Sequence, residues 1–239
     1  MKGRIIKRTQ EVSRVVLPII GKIKVGIKEK SRNGTEYPKS VDYFVASGKY
    51  AALFNAAYGE KPQIIQIVFP DDNAENVCSE RYEYRDDKGA LIASGDGETF
   101  NVWNGKEYVT LLASDYPNLM QSIQQRYPRR HGRQNGDNWD IVLTITFIIP
   151  FVRGVGGVWQ FTTKGAASTI PNIRDTFDAM LEQRGKVRGV IFDLSVQFAK
   201  SQKPGINSRY PVVTIVPNES EANLKKIKEA FQPIQLENK

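Results

Sequence analysis

Cys78 and His131 are the only residues of their types in the 239-residue chain, and they limit its chemistry at once. A disulfide needs two cysteines, and a structural zinc takes three or four Cys, His or carboxylate ligands, so neither is expected. A Cys–His or Ser–His–Asp nucleophile would have to use His131, which sits in Arg129-Arg130-His131-Gly132-Arg133. Neighbouring cations disfavour its protonated form and nothing local orients it, so it reads as a solvated loop residue in a basic patch. Gly95-Asp96-Gly97-Glu98 offers two carboxylates, too few for a catalytic divalent metal, and no Glu-x-Lys follows nearby; a tight turn is expected. Gly154-Val155-Gly156-Gly157 lacks the lysine of a phosphate loop and the helix of a dinucleotide fingerprint, and reads as a hairpin connection. These residues predict a protein with no catalytic activity, no metal and no cofactor.

Charge says more than the reactive side chains. The net +8 of the chain is matched by residues 1–40 alone, which hold eleven bases and three acids. Residues 71–100 carry nine acids and three bases, whereas 126–133 hold four arginines, His131 and no acid. Clustered cations are the electrostatic footprint of phosphate binding, weighed against the commoner case of a solvated face. Tyr82 and Tyr84 interleave with Arg81 and Arg85 as in a base-stacking platform, yet Glu80, Glu83, Asp86 and Asp87 repel phosphate, so strand packing is preferred there. Trp103, Trp139 and Trp159 read as core or hairpin anchors.

The elements that must position these groups follow from periodicity. Ile19–Ile27 alternates apolar with Lys or Gly, Asn33-Gly34 turns, and Val41–Val45 returns, predicting a hairpin. Residues 49–58 predict a short helix closed by Gly59, and 64–69 a buried strand stopped by Pro70. Residues 81–84 and 90–93 flank the turn 86–89, and Asp115 is expected to cap a helix carrying Leu119, Met120, Ile123 and Tyr127. The polar segment 126–138 reads as a linker. Beyond it the order is strand 139–150, strand 158–163, helix from Ser168 to Gly185, strand 192–198, strand 210–217 and a last helix from Ser220. The expected fold is α+β, with antiparallel sheets and a duplicated ββα pattern in the C-terminal half. The expected organisation is a basic arm over 1–18, an α+β module over 19–125 and a ββαββα module over 139–233. The longest apolar run, 141–152, is too short to span a bilayer, and no secretory signal is read at the N-terminus, so an intracellular protein is expected.

Several short strings taken together resemble the phage recombination directionality factors that partner large serine integrases. They are Ile20-Gly-Lys-Ile-Lys-Val-Gly26, Asn33-Gly-Thr-Glu-Tyr-Pro38, Asp42-Tyr-Phe44, Gly59-Glu-Lys-Pro62, Ile67-Val-Phe-Pro-Asp-Asp72, Arg81-Tyr82 and Gly95-Asp-Gly-Glu98. A weaker echo runs through Gly157-Val-Trp-Gln-Phe-Thr-Thr163 and Phe192-Asp-Leu194. Family members often carry a cysteine cluster near the Gly-Asp-Gly-Glu segment, which this chain lacks, so no zinc role carries over. The resemblance implies a phage- or prophage-encoded switch in the bacterial cytoplasm that docks on DNA-bound integrase and favours excision over integration. On the charge map, Arg126, Arg129, Arg130, His131, Arg133, Lys22, Lys24 and Lys28 are expected near DNA, reached directly or through integrase. Asp71, Asp72, Asp86 and Asp87 are expected to face a basic integrase surface. The rival readings are a single-stranded DNA-binding or annealing protein and an RNA-binding ferredoxin-like module.

Overall fold

The computed structural model describes residues 17–129, 138–201, 205, 207–220 and 225. Among these residues, strands and α-helices follow one another as β1 (Ile19–Lys30), β2 (Glu36–Ser47), α1 (Ala51–Tyr58), β3 (Ile64–Val68), α2 (Ala74–Val77), β4 (Cys78–Arg85), β5 (Leu91–Gly95), β6 (Thr99–Trp103), β7 (Tyr108–Leu112), α3 (Leu119–Arg126), β8 (Asp140–Phe147), β9 (Val158–Thr163), α4 (Thr169–Arg184), β10 (Ile191–Lys200) and β11 (Arg209–Pro217). An eight-stranded sheet has the order β2-β1-β9-β8-β4-β5-β6-β7, and a three-stranded sheet the order β11-β10-β3.

The main core lies between these sheets. In β1 the period of two puts Ile23 inside and leaves Lys22 and Lys24 outside. In α4, Ile170, Ile173, Phe177 and Met180 fall on one helical face and are buried against the sheets. Phe177 meets Phe69 edge-on at 5.1 Å, and Phe69 meets Phe192 at 5.4 Å, joining helix and small sheet through aromatic packing. Gly185 ends α4 at φ 68°, its N–H donating to Leu181 O at 2.8 Å, because only glycine enters that left-handed cap without strain. A second cluster of Tyr84, Phe100, Ile123 and Trp139 packs β4 to β6 against α3.

Strands and helices segregate as in α+β folds, but the duplicated ββα pattern is not the arrangement found. The pair β8–β9 belongs to the large sheet, whereas β10–β11 joins β3 in the small one. The helix expected from Ser220 lies outside the described residues except for Lys225. Nor are the sheets wholly antiparallel: β1 runs parallel to β9, with Gly21 opposite Trp159. Strands from either side of 126–138 share both sheets, since β4 pairs with β8 and β3 with β10. Asp115 lies in a short 3-10 turn over Ala113–Asp115, and α3 starts instead from Asn118 at φ 63°. Strands β6 and β7, joined through Asn104-Gly105, went unread in the sequence although Asn-Gly is a strong hairpin signal.

Two hairpins run past their neighbouring strands. β9 pairs with β1 only as far as Ile23, and every residue from Arg32 to Ser40 is exposed, so the distal part of β1–β2 has water on both faces. Cross-strand pairs hold it: Glu29 accepts from Tyr37 Oη at 2.8 Å and pairs with Lys39 at 2.9 Å, and Glu36 pairs with Lys28 at 3.3 Å. β10 pairs with β3 only as far as Ser195, leaving residues 197–200 and 209–212 paired with each other as a ribbon.

Candidate functional site

The eight-stranded sheet separates the expected DNA-facing cations into two groups. Lys22 and Lys24 lie on the outer face of β1, and Lys28 lies on the free arm, 80% exposed and paired with Glu36. Arg126 sits toward the far end of the sheet, where α3 closes over β6, and Arg129 lies just ahead of β8. Arg126 donates to Asn104 O at 3.3 Å and stacks on Tyr127 at 5.6 Å. Five strand spacings of ~4.8 Å put Arg126, beside β6, roughly 25 Å from the β1 lysines, so these do not converge on one site. Arg129 donates to Asn138 O at 3.3 Å, bridging the flanks of residues 130–137, and its Nε is buried without a hydrogen-bond partner among the described residues. Arg130, His131 and Arg133 lie outside the described residues.

The acidic candidates are divided as well. Asp71 and Asp72 precede α2 at one end of β4, and Asp86 and Asp87 form the turn at its other end, about 26 Å away along an eight-residue strand. Three of the four carboxylates hold backbone. Asp71 accepts from the N–H groups of Asp72 and Asn73 and, at 2.6 Å, from Asn76 Nδ2. The Asn76 bond, with the backbone donors, holds its carboxyl below the ordinary value. Asp72 Oδ1 accepts from Val187 N at 2.8 Å and Arg188 N at 2.7 Å, tying this loop to the α4–β10 connection. Asp86 accepts from Lys88 N and Ala90 N inside its own turn. Asp87 is exposed. Gly95-Asp96-Gly97-Glu98 forms the β5–β6 turn, where Asp96 accepts from Thr99 N at 2.7 Å and Glu98 N at 2.9 Å. A β-carbon on Gly95 would meet Thr99 O at 2.2 Å, so the turn needs glycine there.

Sequence reading missed the role of Glu83. Strand alternation turns Arg81, Glu83 and Arg85 to one side while Tyr84 faces the core. Glu83 is 2% exposed; Arg81 Nε and Nη2 reach Oε1 at 2.8 and 2.7 Å, and Arg85 Nε and Nη2 reach Oε2 at 3.0 and 2.9 Å. Burial alone would raise this carboxyl, but the hydrogen bonds and charges of Arg81 and Arg85 outweigh it and hold it below its ordinary value. The two arginines are thereby engaged within the sheet and are not offered to phosphate. The same row continues through Ser94, Asn101 and Thr110, with Thr110 Oγ1 donating to Asn101 Oδ1 at 2.8 Å.

Cys78, at the start of β4, is buried, and burial first, then Asp178 and Glu80, pushes its thiol up to about 12. Such a thiol is not a nucleophile at neutral pH. Among the described residues no group of three or more His, Cys, Asp or Glu is placed to hold a metal ion. No described helix is long and apolar enough to cross a membrane.

Two of the strings that carried the family resemblance meet in space. Gly21 of β1 lies against the indole of Trp159, and Gly157, at φ 151°, lies against Ile20 and Pro18 O, so β1 docks on β9 through two residues without β-carbons. Comparison with curated proteins and with solved structures gives no match. A family model described as Gp3-like, recombination directionality factor-like, matches residues 20–218. That span begins at the root of β1 and closes just after β11, taking in both sheets and their parallel junction, and it places the chain in the Gp3-like, recombination directionality factor-like family.

Proposed function

We propose that this protein is a recombination directionality factor that docks on a DNA-bound large serine integrase and switches it from integration to excision. The family match over residues 20–218 carries this reading. In it the protein works without catalysis, in the bacterial cytoplasm, by binding one integrase arrangement more tightly than another. Moving such an equilibrium from 1:99 to 99:1 takes about 5.5 kcal/mol of differential affinity, and equal affinity for both states shifts nothing.

The distribution of charge supports a two-sided role. One group of cations lies on the β1–β2 side, and the β4–β5 turn presents Asp86 and Asp87 at a distance from it. Complementary potentials of that kind steer and register a contact between an acidic turn and a basic protein surface. The test is a gel shift with integrase bound to its attachment site. A further-retarded complex that forms only with the integrase of the same genome supports the reading; an unchanged integrase–DNA band at saturating protein contradicts it.

A further inference from the structure

The β1–β2 and β10–β11 arms leave the body at the same end and in the same direction. Ile148 exchanges backbone hydrogen bonds with Val68, at 2.9 and 2.8 Å, and Val68 pairs with Ile191 at the start of β10. The residue before Ile148 is Phe147, which pairs with Trp159, which pairs in turn with Gly21 near the start of β1. Both strands therefore begin at one place. Further along they are still together. Phe44, beside the Val45 that pairs with Lys24, donates its N–H to Pro62 O at 2.8 Å, and Val196 donates to Gln63 O at 2.9 Å. β2 packs against both β10 and β11, so the two ribbons leave the body as neighbours.

Each outer part carries two cations outside the Lys28–Glu36 and Lys39–Glu29 ion pairs. Lys30 and Arg32 on the first arm and Lys200 and Arg209 on the second are exposed and make no ion pair among the described residues. Val196 and Val213 face the core on the side turned toward β2; stepping outward by two residues on that side come Phe198, then Lys200 opposite Arg209. The second arm thus turns its cations toward the first. A two-stranded ribbon fits the major groove of duplex DNA, about 12 Å wide, and the five residues Gly26–Lys30 with their turn give a reach of about 15 Å or more.

We propose that the two arms together grip the sugar–phosphate backbone of duplex DNA, with Lys30 and Arg32 on one side of the grip and Lys200 and Arg209 on the other. This rests on the reading of the protein as one that works at integrase-bound DNA, and gives it a direct DNA contact separate from the integrase contact. Nothing in the cation pattern selects bases, so the grip is independent of sequence.

The test is fluorescence anisotropy of the full chain with a duplex of arbitrary sequence, without integrase, across a salt series. The quadruple variant Lys30→Gln, Arg32→Gln, Lys200→Gln, Arg209→Gln should reduce the slope of log affinity against log salt by about three to four. The pairs Lys30→Gln/Arg32→Gln and Lys200→Gln/Arg209→Gln should each remove about half of that, which guards against a folding defect in the quadruple variant. An unchanged slope overturns the proposal. So does tighter binding to a single strand that is lost on Phe198→Ala and Tyr210→Ala, or an unchanged slope accompanied by lost binding to isolated integrase. Failure of the integrase reading shows separately, as wild-type protein that grips duplex with the full slope yet leaves integrase–DNA complexes unshifted.

Discussion

Gly21 lies against the indole of Trp159, where a β-carbon would come within 2.3 Å of Cζ3. This close approach joins β1 to β9 in the one parallel junction of the large sheet among the described strands, and it is the root from which the β1–β2 arm extends. Gly21→Ala should therefore destabilise the protein by about 1–3 kcal/mol through overpacking. Denaturant unfolding checks this as a lower midpoint with unchanged slope. Pairing it with Trp159→Leu should cost less than the sum of the two single changes, because the clash is removed with the ring.

Asp72 should matter to stability rather than to a partner. Asp72→Ala leaves Val187 N and Arg188 N without their acceptor and should cost about 1–3 kcal/mol, whereas Asp72→Asn keeps a side-chain oxygen there and should recover most of it. Charge reversal at all four acidic candidates is correspondingly no clean probe of a docking surface, since Asp71, Asp72 and Asp86 hold backbone N–H groups. Asp87→Lys is the better probe. It should slow association with a basic partner, read by stopped-flow association, with thermal unfolding as the control that the fold is kept.

These corrections show what local pattern carries and what it does not. The strand Val158–Thr163 and the helix ending at Gly185 were legible because alternation, a period of 3.6 and a terminal glycine are written within a few residues. The parallel pairing of β1 with β9, and the dispatch of β8–β9 and β10–β11 to different sheets, depend on partners far apart in the chain, of which periodicity holds no record. Likewise the negative charge of 71–100 was visible as a sum, but β4 separates its two ends. The second basic arm was legible as a strand, yet its nearness to the first follows only from the Pro62–Gln63 link.

Glu83 predicts a pH dependence with a definite sign. Its folded carboxyl lies below its ordinary value, so as pH falls the unfolded chain, titrating near about 4.3, takes up the proton first. The stabilisation is therefore fully present above that value and is lost as pH drops through the folded pKa. Glu83→Gln should lower stability at neutral pH by about 1–3 kcal/mol, by weakening bonds to two guanidinium groups, and should flatten the acid limb of the stability profile. Urea unfolding at a series of pH values from 3 to 7 (a range set by the roughly 4.3 reference) reads both effects.

Cys78 should be inert in the folded protein, because burial raises its thiol to about 12. Labelling by a thiol reagent at neutral pH should run at the rate of unfolding and become fast in denaturant. Rapid stoichiometric labelling of native protein would contradict the burial seen at the start of β4.

The most direct measurement is the initial rate of recombination by the integrase of the same genome, on its attachment sites in both orientations, as this protein is titrated. A directionality switch predicts that excision rises from near zero while integration falls, both saturating at the same protein concentration. Rates that stay flat in both orientations, or that move together, would contradict it.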